Sequence, residues 1–340
     1  MTSVYALDEL ERACRRLGIA DAAFRRFRIG WFKKGRSPDE CLAAFDEQAR
    51  ARFLGQVRLH ALAVAQRQDS TRDGATKLVF RAEDGARVEA VLLRVASGRT
   101  SLCVSSQVGC GADCAFCATG KLGLARNLTT HEILDQVVLA SRVAAAEGRS
   151  IRNVVFMGMG EPFHNEAAVC EALETLRDPR GFALSERHLL VSTVGEHRAM
   201  RRFAQRYPRM RMALSLHSAR QEVRERIMPT AAFHSLEKIR AVLPEIAQHG
   251  NLMIEVLLLE GVNDGAEDVR ALIDYLDGLP VHVNLIQFNP FPGAAFRPVA
   301  PGVREAFGAA LRKADFKCTL RYSLGDDIAA ACGQLAGAVR

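Results

Sequence analysis

The 340-residue chain has no apolar run approaching the roughly 18 residues that a membrane-spanning helix needs, which excludes such a helix. Its opening, M-T-S-V-Y-A-L-D-E-L-E-R, has no basic segment leading into an apolar core, so it does not read as a secretory signal. No internal repeat of fixed period and no low-complexity tract is present, so neither organises the chain. The nine cysteines form no regular framework, which points to a reducing cytoplasm rather than an oxidised compartment. Equally absent is a zinc pattern: structural zinc takes four protein ligands, usually as two C-x2-4-C or H-x3-5-H pairs.

What is present suits a folded protein: 49% of residues are apolar and the charges are mixed. The length can bury a large core as one big domain or two. A formal net charge of +7 leans modestly towards a polyanionic partner. The positive charge is concentrated. Arg25, Arg26, Arg28, Lys33, Lys34 and Arg36 crowd one stretch, interleaved with Phe24, Phe27, Trp31 and Phe32. A second group comprises Arg198, Arg201, Arg202, Arg206, Arg209 and Arg211. Basic residues mixed with aromatics suit phosphate contact plus base stacking. The other reading is a solvated helix face whose aromatics pack inward.

From Leu7 to about Gln66 the apolar spacing is helical, with Leu7, Leu10, Cys14 and Leu17 at three- and four-residue steps. Ser37-Pro38-Asp39-Glu40 has the form of a helix N-terminal cap. Residues 1–70 therefore read as a small helical module. Lys77–Arg81 and Arg87–Leu93 read as a β-hairpin around the Ala82–Gly85 turn, within an extension over residues 71–99. From residue 100 onward, strand-like runs alternate with helical ones: Leu102–Ser106, Asn153–Met157, Leu189–Thr193, Met212–Leu216, Met253–Leu258, Val283–Phe288 and Lys317–Tyr322. Helical stretches between them include Thr130–Ala146, Glu166–Leu176, Ala266–Leu276 and Gly302–Ala314. Such alternation predicts a parallel sheet covered by helices, with ligand sites at the C-terminal strand ends.

One short glycine-flanked loop, V-G-C-G-A-D-C-A-F-C-A-T-G, carries Cys110, Cys114 and Cys117. The C-x3-C-x2-C spacing places three thiolates close enough to hold one inorganic cluster. A four-iron cluster normally takes four thiolates. Three leave one iron open to a non-protein ligand, which points to chemistry rather than electron carriage alone. The plainer alternative is three small buried hydrophobes.

The loop resembles the signature of the radical S-adenosylmethionine (SAM) superfamily, in which the open iron chelates SAM. Further segments, in order, resemble the RlmN and Cfr family of radical SAM RNA adenine methyltransferases. They are S-S-Q-V-G-C (105–110), C-A-T-G-K-L-G-L-A-R-N-L-T (117–129), F-M-G-M-G-E-P (156–162), S-L-H-S (215–218), N-L-I-Q-F-N-P-F-P-G (284–293) and G-D-D-I-A-A-A-C-G-Q-L (325–335). The resemblance runs from about Asp73 to Gly337.

The resemblance implies an α/β fold, a partial (β/α)6 barrel over residues 100–340, with the N-terminal module contacting RNA. It implies one 4Fe-4S cluster on Cys110, Cys114 and Cys117, and a SAM site at Gly160, Glu161, Ser192, Ser215, Leu216, His217 and Asn289. Cys332 matches the cysteine that is S-methylated by a first SAM and whose methyl carbon then passes to RNA. Cys103 matches the resolving thiol, which pairs transiently with Cys332 in a disulfide. Glu89 matches the proton acceptor, with one extra residue between it and Cys103 relative to the family spacing. The implied substrate is an adenosine ring carbon of 23S ribosomal RNA, with tRNA a further substrate of some family members; the chain mixes motifs of the carbon-2 and carbon-8 kinds, and carbon 2 is favoured over carbon 8. An external electron donor such as flavodoxin, no membrane partner and a monomer complete these expectations. Two rival readings are a radical SAM enzyme with another substrate and a non-catalytic RNA-binding or ribosome-assembly protein.

Overall fold

The computed structural model describes residues 1–95 and 97–336. Ala96, in the expected 71–99 extension, and residues 337–340, the end of the expected barrel and of the resemblance, lie outside the described residues.

A ten-stranded mixed sheet organises the molecule. Seven strands, Thr100–Cys103, Asn153–Phe156, Leu189–Thr193, Arg211–Ser215, Leu252–Leu258, His282–Gln287 and Lys317–Arg321, run parallel in chain order. Most of their residues are buried and apolar, as expected where helices cover a parallel sheet, whereas the buried polar Glu255 and Asn284 face the cavity inside it. Helices Thr130–Ala146, Glu166–Arg177, His197–Arg206, Gln221–Ile227, Ala266–Leu276 and Pro301–Lys313 follow the first six strands in turn; a further helix, Leu236–Ala247, precedes Leu252–Leu258. The first and last parallel strands are not hydrogen-bonded to each other, so the barrel is partial. Cys103 from the first and Arg321 from the last nonetheless line the same cavity, so the sheet curves around it.

The hairpin Ala75–Ala82 and Arg87–Arg94 forms, pairing antiparallel onto Thr100–Cys103. The helical reading up to Gln66 is corrected at its end. Val57–Arg58 and Leu62–Asp69 are strands, and the latter becomes the outer edge of the sheet. Residues 63–67 of that edge face solvent, so its side chains carry no apolar alternation that would betray a strand.

The N-terminal helices Leu7–Arg16, Asp21–Arg28, Pro38–Leu42 and Glu47–Gln56 share one continuous hydrophobic core with the sheet. Ser37 and Glu40 form the expected capping box. A buried carboxylate fastens this region to the barrel. Asp135, on helix Thr130–Ala146, accepts hydrogen bonds from the Tyr5 hydroxyl, His60 and the Ala61 and Leu62 amides. Gly35, at φ +57°, passes so close to the same helix that a Cβ would lie 2.5 Å from Ser141 O.

The aromatics of the first basic stretch are not available for stacking. Phe24, Phe27, Trp31 and Phe32 are buried, with Phe27 and Trp31 stacked at 5.7 Å. Arg25, Arg26, Lys33, Lys34 and Arg36 remain exposed. Within the second group, Arg201 pairs with Glu245, Arg202 with Glu166 and Arg206 with Glu174, which makes a solvated, ion-paired helix face. No helix among the described residues is long and apolar enough to cross a membrane.

Candidate active site

The cysteine loop is closed by backbone geometry. Gln107–Gly109 pairs antiparallel with Leu124–Asn127, and the Cys110 amide donates to Gly123 O at 2.9 Å. Gly109 adopts φ +78°, and a Cβ there would stand 1.9 Å from Gly123 O, so only glycine permits this closure. Within the loop the Cys117 amide donates to Cys114 O at 3.1 Å, and the Ala115 amide reaches Ile227 O at 2.9 Å. Three thiols are thus held on one turn.

All three line a cavity of about 530 Å³ that runs along the inside of the curved sheet, from strand starts such as Asn153 and Arg211 to the C-terminal strand ends. Gly160, Glu161, Ser192, Ser215, His217, Cys103 and Cys332 line it too. Leu216, Asn289 and Glu89 lie outside its lining. Leu216 is fully buried, and its amide and carbonyl bind Glu255 O and the Arg224 Nε–H. Asn289 works from behind, donating from Nδ2 to Ser323 Oγ at 2.8 Å and to Cys332 O at 3.1 Å.

The turn after Asn153–Phe156 packs directly on the segment leading into the cysteine loop. A Cβ on Gly160, at φ +99°, would lie 2.8 Å from the Gln107 amide nitrogen. That contact places Glu161 beneath the thiols, its carboxylate accepting from the Val194 amide at 2.8 Å and the Phe163 amide at 3.0 Å. Burial dominates over these bonds and pushes the Glu161 carboxyl up to about 7. A cationic ligand amine is what would return it to the ionised form.

His217 has φ +59°, held by Asn263 donating to its carbonyl at 2.7 Å. Its Nδ1 accepts from the Leu257 amide at 3.1 Å, and burial with Arg224 nearby lowers it to about 3. The ring is therefore neutral. With Nδ1 accepting, the proton is assigned to Nε2, which makes the ring a donor. Phe116 from the cysteine loop meets the imidazole edge-on at 4.7 Å.

The C-terminal segment reaches this cavity through backbone bonds. Gly333 O accepts from the Ala118 amide at 2.7 Å, and Leu335 O from the Thr119 hydroxyl. Cys332 presents an open surface into the cavity while protein surrounds it, so burial raises its thiol and Arg321 partly offsets the rise. Cys103 is pushed up to about 12 by burial and by Cys332. All nine cysteines are free, so the expected Cys103–Cys332 disulfide is absent from this structure. Two thiols that resist ionisation do not pair without an oxidising event. Glu89 is buried rather than a solvated hairpin carboxylate. Its Oε2 accepts from the Ala336 amide at 3.1 Å, and Oε1 lies 3.8 Å from Lys77 Nζ.

Two cations escaped the sequence reading. Arg224 is fully buried behind the cysteine loop, donating to the carbonyls of Leu216, His234 and Val194, and it offsets the burial of Cys114. Arg321, the last residue of its strand, faces Cys332, Glu255 and Cys103. Only its position at a strand end could have flagged it.

The donor chemistry fits an iron–sulfur cluster. Burial drives Cys110 up to about 12 and Cys114 well above its usual value, and each thiolate would repel the others. Only a multivalent cationic group makes three thiolates stable together.

The radical SAM superfamily profile matches residues 104–276. A protein of Rhodopirellula baltica named as a probable RNA methyltransferase is 47% identical over 98% of this chain and 87% of its own length. The dual-specificity RNA methyltransferase RlmN of Syntrophobacter fumaroxidans is 38% identical over 97% of this chain and 96% of its own. The crystal structure of a radical SAM methyltransferase from Sphaerobacter thermophilus superposes with a TM-score of 0.92 at 33% identity, covering 98% of this chain and 99% of that one.

Glu161 makes ligand binding pH-sensitive. With a folded value near 7 against the ordinary 4.5, its contribution to stability is full below 4.5 and is lost as pH rises through about 7. A bound cation removes that loss. The thermal upshift produced by saturating SAM on reconstituted protein is therefore expected to grow between about pH 6 and about pH 8. Glu161→Gln is expected to flatten the trend, and a pH-independent upshift in the unaltered protein would contradict the assignment.

Proposed function

The chain belongs to the radical SAM superfamily and, within it, to the RlmN-like family, and on that footing we propose that it methylates a ring carbon of adenosine in RNA. Carbon 2 of an adenosine in 23S ribosomal RNA, with tRNA as a second substrate, is the favoured target. The observation that carries the reading is the convergence of Cys332, Cys103 and the three loop thiols on one cavity, the arrangement that a methyl-carrying thiol and a resolving thiol beside a cluster require.

Cys110, Cys114 and Cys117 would hold the 4Fe-4S cluster, and Glu161, His217, Ser192 and Ser215 the SAM beside it. Bound there, cluster and SAM supply one-electron cleavage of a sulfonium and hence a carbon radical, reactivity that an unactivated adenine C–H carbon demands. Cys332 first accepts a methyl group on sulfur from a first SAM, with S-adenosylhomocysteine as the leaving group, a displacement that requires its thiolate. Arg321 is the cation that favours that ionised form against burial. The S-methyl group would give up one hydrogen atom to the carbon radical that bound SAM supplies, and its carbon then bonds to the adenine ring, joining protein to RNA through a thioether. Glu89 removes the ring proton, and Cys103 attacks the Cys332 sulfur and breaks its bond to the methylene carbon, which takes up a proton to become the methyl group; the one surplus electron would return to the cluster, leaving methylated RNA and a disulfide. An external reductant such as flavodoxin restores the cluster, and reducing equivalents restore the two thiols.

Tyr322 supplies a surface for the base. It follows Arg321, is 65% exposed at the edge of the cavity, and carries Arg304 over its ring at 4.6 Å. Single-stranded or flipped bases are commonly held by such aromatic–arginine platforms. The exposed basic stretch of residues 25–36 lies in the N-terminal module, over residues 1–70, which we assign to RNA contact.

Mass spectrometry of the purified protein is expected to find an S-methyl group on Cys332. Cys332→Ala is expected to keep cluster and SAM binding and lose RNA methylation, and continued methylation by that variant would defeat the two-SAM route. Nucleoside analysis of the product separates 2-methyladenosine from 8-methyladenosine. Tyr322→Ala should raise KM for RNA about tenfold, from the roughly 1–3 kcal/mol that one stacked base contributes, without changing SAM affinity.

A further inference from the structure

A second cluster of metal-ligand side chains lies outside the cavity lining. Glu196, His197 and His234 each direct one donor atom to a common point, all three atoms within 4.8 Å of one another. His197 Nδ1 and His234 Nδ1 are 3.3 Å apart, and Glu196 Oε1 is 3.7 Å from His234 Nδ1. Two ligands each about 2.0–2.1 Å from a tetrahedral zinc ion stand about 3.3–3.4 Å apart. The imidazole pair already has that separation, Glu196 Oε1 exceeds it by a few tenths of an ångström to His234, and its donor lies within 4.8 Å of that of His197.

The surroundings hold these donors in place. Glu196 Oε2 accepts from the Ala199 amide at 2.8 Å, capping helix His197–Arg206 and leaving Oε1 to face His234. Gly195, at φ +105°, is wedged so that a Cβ would stand 3.0 Å from Arg224 Nη2 and 2.8 Å from Ile239 Cδ1. Arg224 binds the carbonyls of both Val194 and His234, so one buried guanidinium aligns the two segments that carry the donors. Arg198, Arg201 and Lys238 are near His197. Affinity therefore rests on the imidazole and carboxylate donors rather than on the local field.

We propose that Glu196, His197 and His234 bind a divalent transition-metal ion of the zinc class, with water completing its coordination. Three protein ligands with mixed nitrogen and oxygen donors suit zinc, and the remaining position faces solvent because all three side chains are only partly buried. The ion clips the segment after Leu189–Thr193 to the turn before Leu236–Ala247. Through Val194, whose amide binds Glu161, it braces one wall of the SAM pocket. Metal binding by these three side chains does not rest on the methylation chemistry proposed above; only the bracing of the SAM pocket does.

The test uses anaerobically reconstituted full-length protein, whose cysteine loop is occupied by the cluster, equilibrated with micromolar zinc. About one zinc per chain is expected, with an X-ray absorption shell of nitrogen and oxygen at about 2.0–2.1 Å. His197→Asn and His234→Asn should each lower retained zinc about tenfold or more, with iron and sulfide content unchanged. Glu196→Gln provides a third variant should either histidine change disturb folding; it leaves a carboxamide oxygen for the helix cap and should also lose zinc. Failure of the unaltered protein to retain zinc overturns the proposal. So does a sulfur shell at about 2.3 Å, which would place the metal on cysteines, or full zinc content in the variants.

Discussion

Four consecutive-zone backbone groups of the C-terminal segment lace it into the sheet, and the site depends on that lacing. Cys332 O is held by Asn289, Gly333 O by Ala118, Leu335 O by Thr119, and the Ala336 amide by Glu89. Two of these partners, Ala118 and Thr119, immediately follow Cys117. The loop that presents the three thiols is thus the same piece of chain that seats the fourth. Gln334 adds side-chain bonds to Pro290 O and Asp326. Removing the lacing would leave the sheet in place and Cys332 without a fixed position.

Burial is the second organising theme, and it acts in one direction on four thiols and one carboxyl of the cavity. Cys103, Cys110, Cys114 and Cys332 are raised, and so is Glu161. His217 is driven the other way, to the same neutral outcome. The ligand-free cavity therefore carries little negative charge of its own, and cationic ligands have most to gain by entering it. Arg224 and Arg321 sit at opposite ends of this arrangement, one behind Cys114 and one facing Cys332.

Much of this was legible in the chain because the ligands are local. Three cysteines in one glycine-flanked loop need no tertiary contact to be recognised. The helices Thr130–Ala146 and Ala266–Leu276 and the strand Leu189–Thr193 have the bounds expected from periodicity, whereas the other strands shift by one to three residues at one or both ends, because ladder pairing rather than the apolar run sets their limits. The edge strand Leu62–Asp69 was hidden because its side chains are solvated. The aromatics around Trp31 could be read as stacking groups or as core, and only their burial decides for core. Arg224, Arg321 and the Glu196–His197–His234 cluster had no local signature. Each depends on segments far apart in sequence being brought together by the sheet.

The central claim is that Cys332 sits within reach of the group held by Cys110, Cys114 and Cys117. Electron–nuclear double resonance on the reduced cluster, in protein carrying a deuterated methyl group on Cys332, reads that proximity directly. A resolved dipolar coupling from the methyl deuterons is the expected result, and a spectrum with no such coupling would contradict the account.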